Sequence, residues 1–278
     1  LIFVVPGLLL SSLSFTEWLK LLQAFICFGM MASGTYLLND LCDIPDDRKH
    51  ATKKNRPLAA GNLSVPVAAT LMAVLVFSSV LWASLLQYDF AVILILYALT
   101  TAAYSFRLKR LPIVDVFILA ALFSLRVLAG AALIGAPPTA WLMGFIGLTF
   151  LSLALAKRYV EVTKRDGEKK IPGRGYLADD GPMLMAFGAA SAYTAVLALG
   201  IYGLLAPDRL IDSEAVMITL ATVVAAWFFR IWLLAGRREL DDDPVLFAVK
   251  DKVSLLCLAL AGGIVVVEET QPIWNAWF

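Results

Sequence analysis

The sequence predicts an all-α polytopic membrane bundle of about nine transmembrane helices, the first of them truncated, and three observations carry that prediction. Hydrophobic residues make up 60% of the 278 and charged residues only 16%, against roughly 45–50% and about 25% in soluble domains. A water-soluble fold cannot hide that excess without leaving large apolar patches in water. Apolar runs of bilayer-crossing length, about 20 residues, recur along the chain. They lack alternation, so of the two structures that satisfy their backbone in lipid, helices rather than barrel strands are expected. Gly 18, Pro 12 and Cys 3 exclude disorder, a collagen-like repeat and a disulfide scaffold. A net charge of +1 names no partner, and nothing calls for nucleic acid.

The opening stretch Leu1–Ser12 is apolar but too short to cross, and reads as the remnant of an N-terminal span. It has neither the basic n-region nor the small-residue cleavage site of a signal peptide. Full spans follow near 16–38, 66–87, 90–106, 113–134, 139–160, 183–205, 212–234 and 252–268. Residues 1–278 are read as one transmembrane domain.

The connections between these runs justify both their number and their orientation. Segments 39–65, 107–112, 157–182 and 230–252 carry five, three, seven and five Lys/Arg, 20 of the 23 in the chain. The opposite connections hold only Lys20 and Arg209, and the last base, Arg126, lies inside a span. By the positive-inside rule the four basic segments face the cytoplasm of a cell membrane. Cys42 in a loop and Cys27 and Cys257 in apolar runs form neither a disulfide nor a metal pattern.

Chemistry concentrates in the first basic segment. Asn39, Asp43 and Asp47 are spaced i, i+4, i+8, and Asp40, Asp43 and Asp47 are spaced i, i+3, i+7. Both patterns line one helical face at the cytoplasmic end of a span. Carboxylates gathered on one face repel one another, so a cation is expected among them. Hard oxygen ligands suit Mg²⁺, which takes one or two carboxylates plus substrate phosphate oxygens. Pro45 is expected to bend or unwind the helix and re-aim the later acids.

The run Asn39-Asp40-x-x-Asp43-x-x-x-Asp47 resembles the first aspartate-rich motif of the UbiA superfamily of intramembrane prenyltransferases, and Arg56-Pro57-Leu58-Ala59-Ala60-Gly61 matches the segment usual there. The resemblance extends over essentially the whole chain. It implies nine helices around a cavity open to the cytoplasm and the membrane, with Asp40, Asp43 and Asp47 as metal ligands and catalytic residues and Asn39, Lys53 and Arg56 beside the substrate.

Ordinary members carry a second motif, roughly Asp-x-x-x-Asp, after the sixth span, where it binds a second Mg²⁺. Here the loop begins Lys157-Arg158-Tyr159-Val160-Glu161, Glu161 is the only acid in its opening stretch, and no Asp-x-x-x-Asp occurs in it. Fixed cations are read as replacing that metal, since they too neutralise phosphate charge. The run resembles decaprenyl-phosphate phosphoribosyltransferases, as does Asp243-Pro244-Val245-Leu246-Phe247-Ala248-Val249-Lys250-Asp251. That resemblance implies transfer of 5-phosphoribosyl from phosphoribosyl pyrophosphate (PRPP) to a polyprenyl phosphate, in cell-envelope biosynthesis. It places Lys157, Arg158, Tyr159, Glu161, Arg174 and Lys250 among the substrate-binding residues. Positive-inside topology alone also accounts for the basic excess of the loop, though not for its ordered start.

A charge within a span costs roughly 2.5–3.5 kcal/mol on insertion scales, so Arg126 should face the interior or a wet cavity. Either it binds phosphate deep in the site, or it pairs with Asp115, about 16 Å away along a helix at 1.5 Å per residue. Tyr104, Lys109 and Arg110 resemble donor-phosphate contacts and equally suit interfacial anchoring. His50, the only histidine, reads as a polar surface residue or a general base.

Three functions stand at this point. The first is the phosphoribosyl transfer described above, with Mg²⁺ as cofactor and PRPP, a polyprenyl phosphate lipid, the membrane and a homo-oligomer as partners. The second is prenylation of an aromatic or quinone precursor, which the missing second motif disfavours. The third is a transporter or scaffold, which inverted repeats with broken midplane helices would support; none is seen.

Overall fold

A computed structural model describes residues 14–49, 53–135, 137–164, 174–205, 211, 213–240 and 243–275, without side chains beyond 268. His50 and Leu1–Ser12 lie outside the described residues. Those residues are all-helical apart from turns and loops: α1 (Phe15–Asp47), α2 (Val65–Leu86), α3 (Tyr88–Phe106), α4 (Val114–Leu133), α5 (Ala140–Thr163), α6 (Gly181–Leu205), α7 (Glu214–Gly236), the short α8 (Pro244–Ala248) and α9 (Lys252–Asn275). Among the described residues, α1 to α7 supply seven helices long and apolar enough to cross a membrane. The eighth expected span is helical as α9. The chain is a multi-pass membrane protein.

Sequence dictates where the helices start. Ser14 caps α1 in a capping box with Glu17, and Thr139 and Ser213 accept backbone N–H groups at the starts of α5 and α7. One expectation is corrected. Pro45 does not unwind α1, which continues to Asp47 and ends at Arg48, whose N–H bonds the Ile44 carbonyl at 3.1 Å. A proline this close to a C-terminus removes one of the last backbone bonds and leaves the turns before it intact. The 33 residues of α1 measure about 50 Å at 1.5 Å per residue, well beyond the ~30 Å hydrocarbon core. One end of α1, with the acidic stripe, therefore extends out of the apolar layer.

The chain forms two compact units. The first comprises Leu1–Ile118, Leu125–Pro137 and Pro172–Gly175. In it α1 packs against α2 and α3. The Cys27 thiol donates to the Ser79 carbonyl at 3.1 Å and the Ser79 hydroxyl donates back to the Cys27 carbonyl at 2.8 Å. Phe28 and Tyr97 meet at 4.6 Å between ring centroids, and Gln87 donates to the Ala132 carbonyl at 3.0 Å. Interhelical hydrogen bonds of this kind, together with close packing, hold helices where lipid removes the hydrophobic drive.

The second unit comprises Leu119–Ser124, Pro138–Ile171 and Tyr176–Phe278. Here α6 packs on α5 and α7, and α7 on α9. Ser152 of α5 donates to the Gly188 carbonyl of α6 at 2.8 Å and accepts from the Trp232 indole of α7 at 3.0 Å, tying three helices together. A Cβ on Gly188 would meet the Trp232 ring at 2.0 Å, so only glycine lets the indole lie against α6.

Candidate functional site

In the first unit the last turns of α1 gather the acids. Tyr36, Asp40, Asp43 and Asp47 follow i, i+4, i+7, i+11 and share one face. They do not share one cation. Arg56 donates through the same nitrogen, Nη1, to Asp40 Oδ1 at 2.8 Å and to Asp47 Oδ2 at 2.9 Å. Asp43 instead pairs with Lys109 and accepts from the Asn39 amide at 3.1 Å. The Lys109 ammonium also reaches Asn39 Oδ1 at 3.5 Å.

Local structure explains why these cations arrive. After the 3₁₀ turn Lys53–Asn55, the Arg56 N–H bonds the Lys53 carbonyl at 3.0 Å and the Ala60 N–H bonds the Arg56 carbonyl at 2.8 Å. Gly61 closes the turn at φ +82°, a region glycine enters without steric cost. Arg48 Nε fastens the loop to the end of α1 through the Ala59 carbonyl at 3.2 Å. Lys53 acts on Asp40 through space. Lys109 stands on the 3₁₀ turn Leu108–Arg110 with its side chain only 5% exposed.

Arg174 returns to this turn from the far end of the long loop. Its Nη1 donates to the Tyr104 hydroxyl at 2.9 Å and to the Lys109 carbonyl at 3.4 Å, and its guanidinium lies 5.8 Å from the Tyr104 ring centre. A Cβ on the next residue, Gly175, would sit 2.4 Å from the Arg110 carbonyl oxygen and 2.5 Å from Pro112. Gly175→Ala should therefore push Arg174 off Tyr104. The check is pyrophosphate affinity, expected to fall by about fivefold to tenfold, in the range of one weakened charged hydrogen bond; unchanged affinity would leave Arg174 a structural brace.

Deeper in the same unit, Arg126 of α4 donates to the Tyr97 hydroxyl at 3.0 Å, with its guanidinium 5.5 Å from that ring's centre. Tyr36 stands close enough to act on it electrostatically, so Arg126 lies toward the face that carries the acids. Tyr36 was missed in the sequence, although its position four residues before Asp40 was the available signal. Asp115 is fully buried in the first turn of α4.

The residues present fit a divalent cation in one place. Asp40 and Asp47 flank a single cation position, marked by Arg56 Nη1, and two carboxylates with phosphate oxygens are what Mg²⁺ takes. Asp43 faces Lys109, and among the described residues no three His, Cys, Asp or Glu side chains are grouped to hold a metal ion.

The second unit holds the remaining candidates. Lys157 pairs with Asp243 at 2.9 Å, and Asp243 caps α8 by accepting from the Val245 and Leu246 N–H groups at 3.0 and 3.2 Å. Arg158, expected at the wet end of α5, is 1% exposed and bonds Glu161 at 2.5 Å. It is turned inward by its place on the face that buries Leu151, Ala154 and Leu155. Tyr159 packs edge-on against Trp232 at 6.1 Å, and Lys250 is exposed. The bidentate pair of Arg230 with Asp251, at 2.6 and 3.0 Å, was not anticipated; Asp251 also accepts from the Ser254 N–H at 2.7 Å, which anchors the start of α9.

Burial pushes the Asp243 carboxyl up, but the Lys157 ammonium and the two backbone N–H groups outweigh it and hold the group below the usual carboxylate range. A lowered folded value means the pair stabilises fully above the ordinary carboxylate value and is lost as pH falls through the folded one. Asp243→Asn keeps a good cap, so its thermal stability should trail the parent at neutral pH and converge with it in acid. A gap that persists in acid would contradict this.

Residues 1–265 match the UbiA prenyltransferase family. The chain is 41% identical to the uncharacterized protein y4nM of Sinorhizobium fredii over 87% of its length, and spans about half, 48%, of that relative. It is 33% identical to the nodulation protein NoeC of Azorhizobium caulinodans, covering 87% of this chain and 80% of NoeC. It is 31% identical to the decaprenyl-phosphate phosphoribosyltransferase of Mycolicibacterium smegmatis, covering 88% and 79%. A solved structure from work on digeranylgeranylglyceryl phosphate synthase in membranes shares the fold at a TM-score of 0.64 and 17% identity, over 96% of this chain and 90% of that one. The apolar helices, the aspartate stripe braced by the Arg56 loop and a match spanning nearly the whole sequence place the chain in the UbiA prenyltransferase family.

Proposed function

We propose that the protein is a polyprenyl-phosphate phosphoribosyltransferase, its site facing the cytoplasm of a cell membrane and residues 1–278 acting as one UbiA-like transmembrane domain. The observation that carries this reading is at the end of α5. Glu161, the only acid among residues 157–164, is held by the buried Arg158, and the Asp-x-x-x-Asp pattern expected of prenyl-transferring members is absent from this helix end. A donor with three phosphate groups and a phosphorylated acceptor call for cations, and Lys157, paired with Asp243, is only half-buried at this helix end. The name of the M. smegmatis relative supports the same reading.

In the proposed reaction the acceptor phosphate oxygen bonds the ribose C1 while the C1–O bond to diphosphate breaks, and diphosphate leaves. A Mg²⁺ ion held by Asp40 and Asp47 would supply charge to that leaving group. Arg174, braced on Tyr104, neutralises donor phosphates, and the buried Lys109, held by Asn39 and Asp43, lends its charge to the site from behind it. Arg126, with Tyr36 and Tyr97, receives a phosphate deeper in. The acceptor oxygen is already anionic, so no residue need act as a strong base. C1 gains oxocarbenium character, as in glycosyl transfer generally.

The test offers the purified full chain, with Mg²⁺, two pairs of substrates: PRPP with a polyprenyl phosphate, and a prenyl diphosphate with an aromatic acid. PRPP should be consumed with one diphosphate released per lipid-linked phosphoribose. Prenylation with PRPP ignored would replace this reading by prenyl transfer.

A further inference from the structure

We infer that Arg56 is an exchangeable cation: it competes with a divalent ion for Asp40 and Asp47, and turns to the donor's diphosphate when that ion enters, so that metal and diphosphate bind together. The inference rests on the reading of the stripe as a diphosphate site.

The geometry points to competition. A single nitrogen, Arg56 Nη1, makes both contacts, at 2.8 and 2.9 Å, so it occupies a position from which one cation reaches both carboxylates. A guanidinium and a metal ion cannot stand there together. The neighbouring Lys109 is of a different kind. Its side chain is 5% exposed, it is paired with Asp43 and Asn39, and its carbonyl is bonded by Arg174. The Arg56 side chain is 38% exposed and its backbone is fixed by the Lys53 and Ala60 hydrogen bonds. Side-chain rotation alone is needed to take it off the acids, with little desolvation to undo.

Charge decides the rest. Asp47 is only 7% exposed, and a buried carboxylate stripped of its cation is strongly unfavourable. Arg56 must therefore leave as the metal arrives, not before. With the metal alone, the displaced guanidinium loses two carboxylates and gains water. With diphosphate present, it gains a partner suited to its planar fork. The ion should therefore bind weakly by itself and tightly with diphosphate, a coupling of the size usual between linked sites, about 5- to 150-fold.

The experiment titrates Mn²⁺ into the purified full chain, with and without inorganic pyrophosphate, and measures protein-bound Mn²⁺ by equilibrium dialysis against a protein-free blank that holds the same pyrophosphate, so that the soluble Mn²⁺–pyrophosphate complex is counted apart. In the parent protein, pyrophosphate should tighten Mn²⁺ by at least about tenfold, within the coupling range above. Arg56→Gln should bind Mn²⁺ alone about tenfold tighter than the parent and lose most of the pyrophosphate gain. Arg56→Lys, which preserves the charge, should compete with Mn²⁺ as the parent does yet keep only part of the gain. Weaker Mn²⁺ binding in Arg56→Gln, or full coupling in either variant, overturns the inference. Failure of every protein to bind Mn²⁺ with pyrophosphate would sink the diphosphate site itself. Binding without coupling sinks only the role of Arg56.

Discussion

Asp47→Asn is expected to lower turnover by about 10²- to 10³-fold, the cost of removing one charge-stabilising group from a preorganised site. The substitution preserves shape and volume, and α1 ends at this residue, so the fold has little to lose. What is lost is an anionic oxygen on the one position shared with Asp40. An amide oxygen is a weaker ligand for a hard cation and leaves Arg56 with one carboxylate in place of two. Asp46 supplies the control. It is adjacent in sequence, exposed and off the stripe, so Asp46→Asn should turn over at the parent rate. Asp43→Asn should also lower turnover, and it should lower thermal stability as well, because it strips the buried Lys109 of its carboxylate. Steady-state rates of the three variants, each with a melting curve, make the comparison. Full turnover in Asp47→Asn would remove the stripe as the site.

What was legible in the sequence is what lies within a few turns of one helix. The spacing of Asp40, Asp43 and Asp47 places them on one face before any coordinates exist, and the apolar runs mark the helices to within a few residues apart from the far ends of α1 and α9. The partners of those acids were not legible. Lys109 meets Asp43 across 66 residues of chain, and no local pattern encodes which of several bases fills that place. Gly175 looks like an ordinary loop glycine until the Arg110 carbonyl is found where its Cβ would be. Basic residues at a helix end read as wet, which is right for Lys157. Arg158 fails that rule because successive residues of α5 point about 100° apart, and its direction is the packed one. Arg126 was conspicuous as a charge within a span, but the phenol it bonds comes from α3 and the one that acts on it through space from α1, and neither carries a charge to advertise it.

Arg126→Met is expected to lower turnover by about 100-fold, the low end of the range for one charge-stabilising group, while leaving thermal stability near that of the parent. Two terms of similar size oppose each other in the stability. Removing a mid-span charge recovers up to about 2.5–3.5 kcal/mol of insertion cost. Losing a charged hydrogen bond to Tyr97 gives back about 1.5–3 kcal/mol. Methionine fills the volume along the same apolar path, so packing adds little to either side. Activity has no such compensation, because a thioether offers no charge to a phosphate. Tyr97→Phe separates the two roles further: it keeps the ring beneath the guanidinium and deletes only the hydroxyl, so it should cost severalfold in turnover rather than 100-fold. If Arg126→Met instead melts well below the parent, and its lost activity tracks the unfolded fraction, then Arg126 serves the packing of α3 and α4 and the deep phosphate position must be sought elsewhere. A stable Arg126→Met protein that binds pyrophosphate normally yet has lost affinity for the acceptor lipid would assign the guanidinium to the acceptor phosphate rather than to the donor's diphosphate.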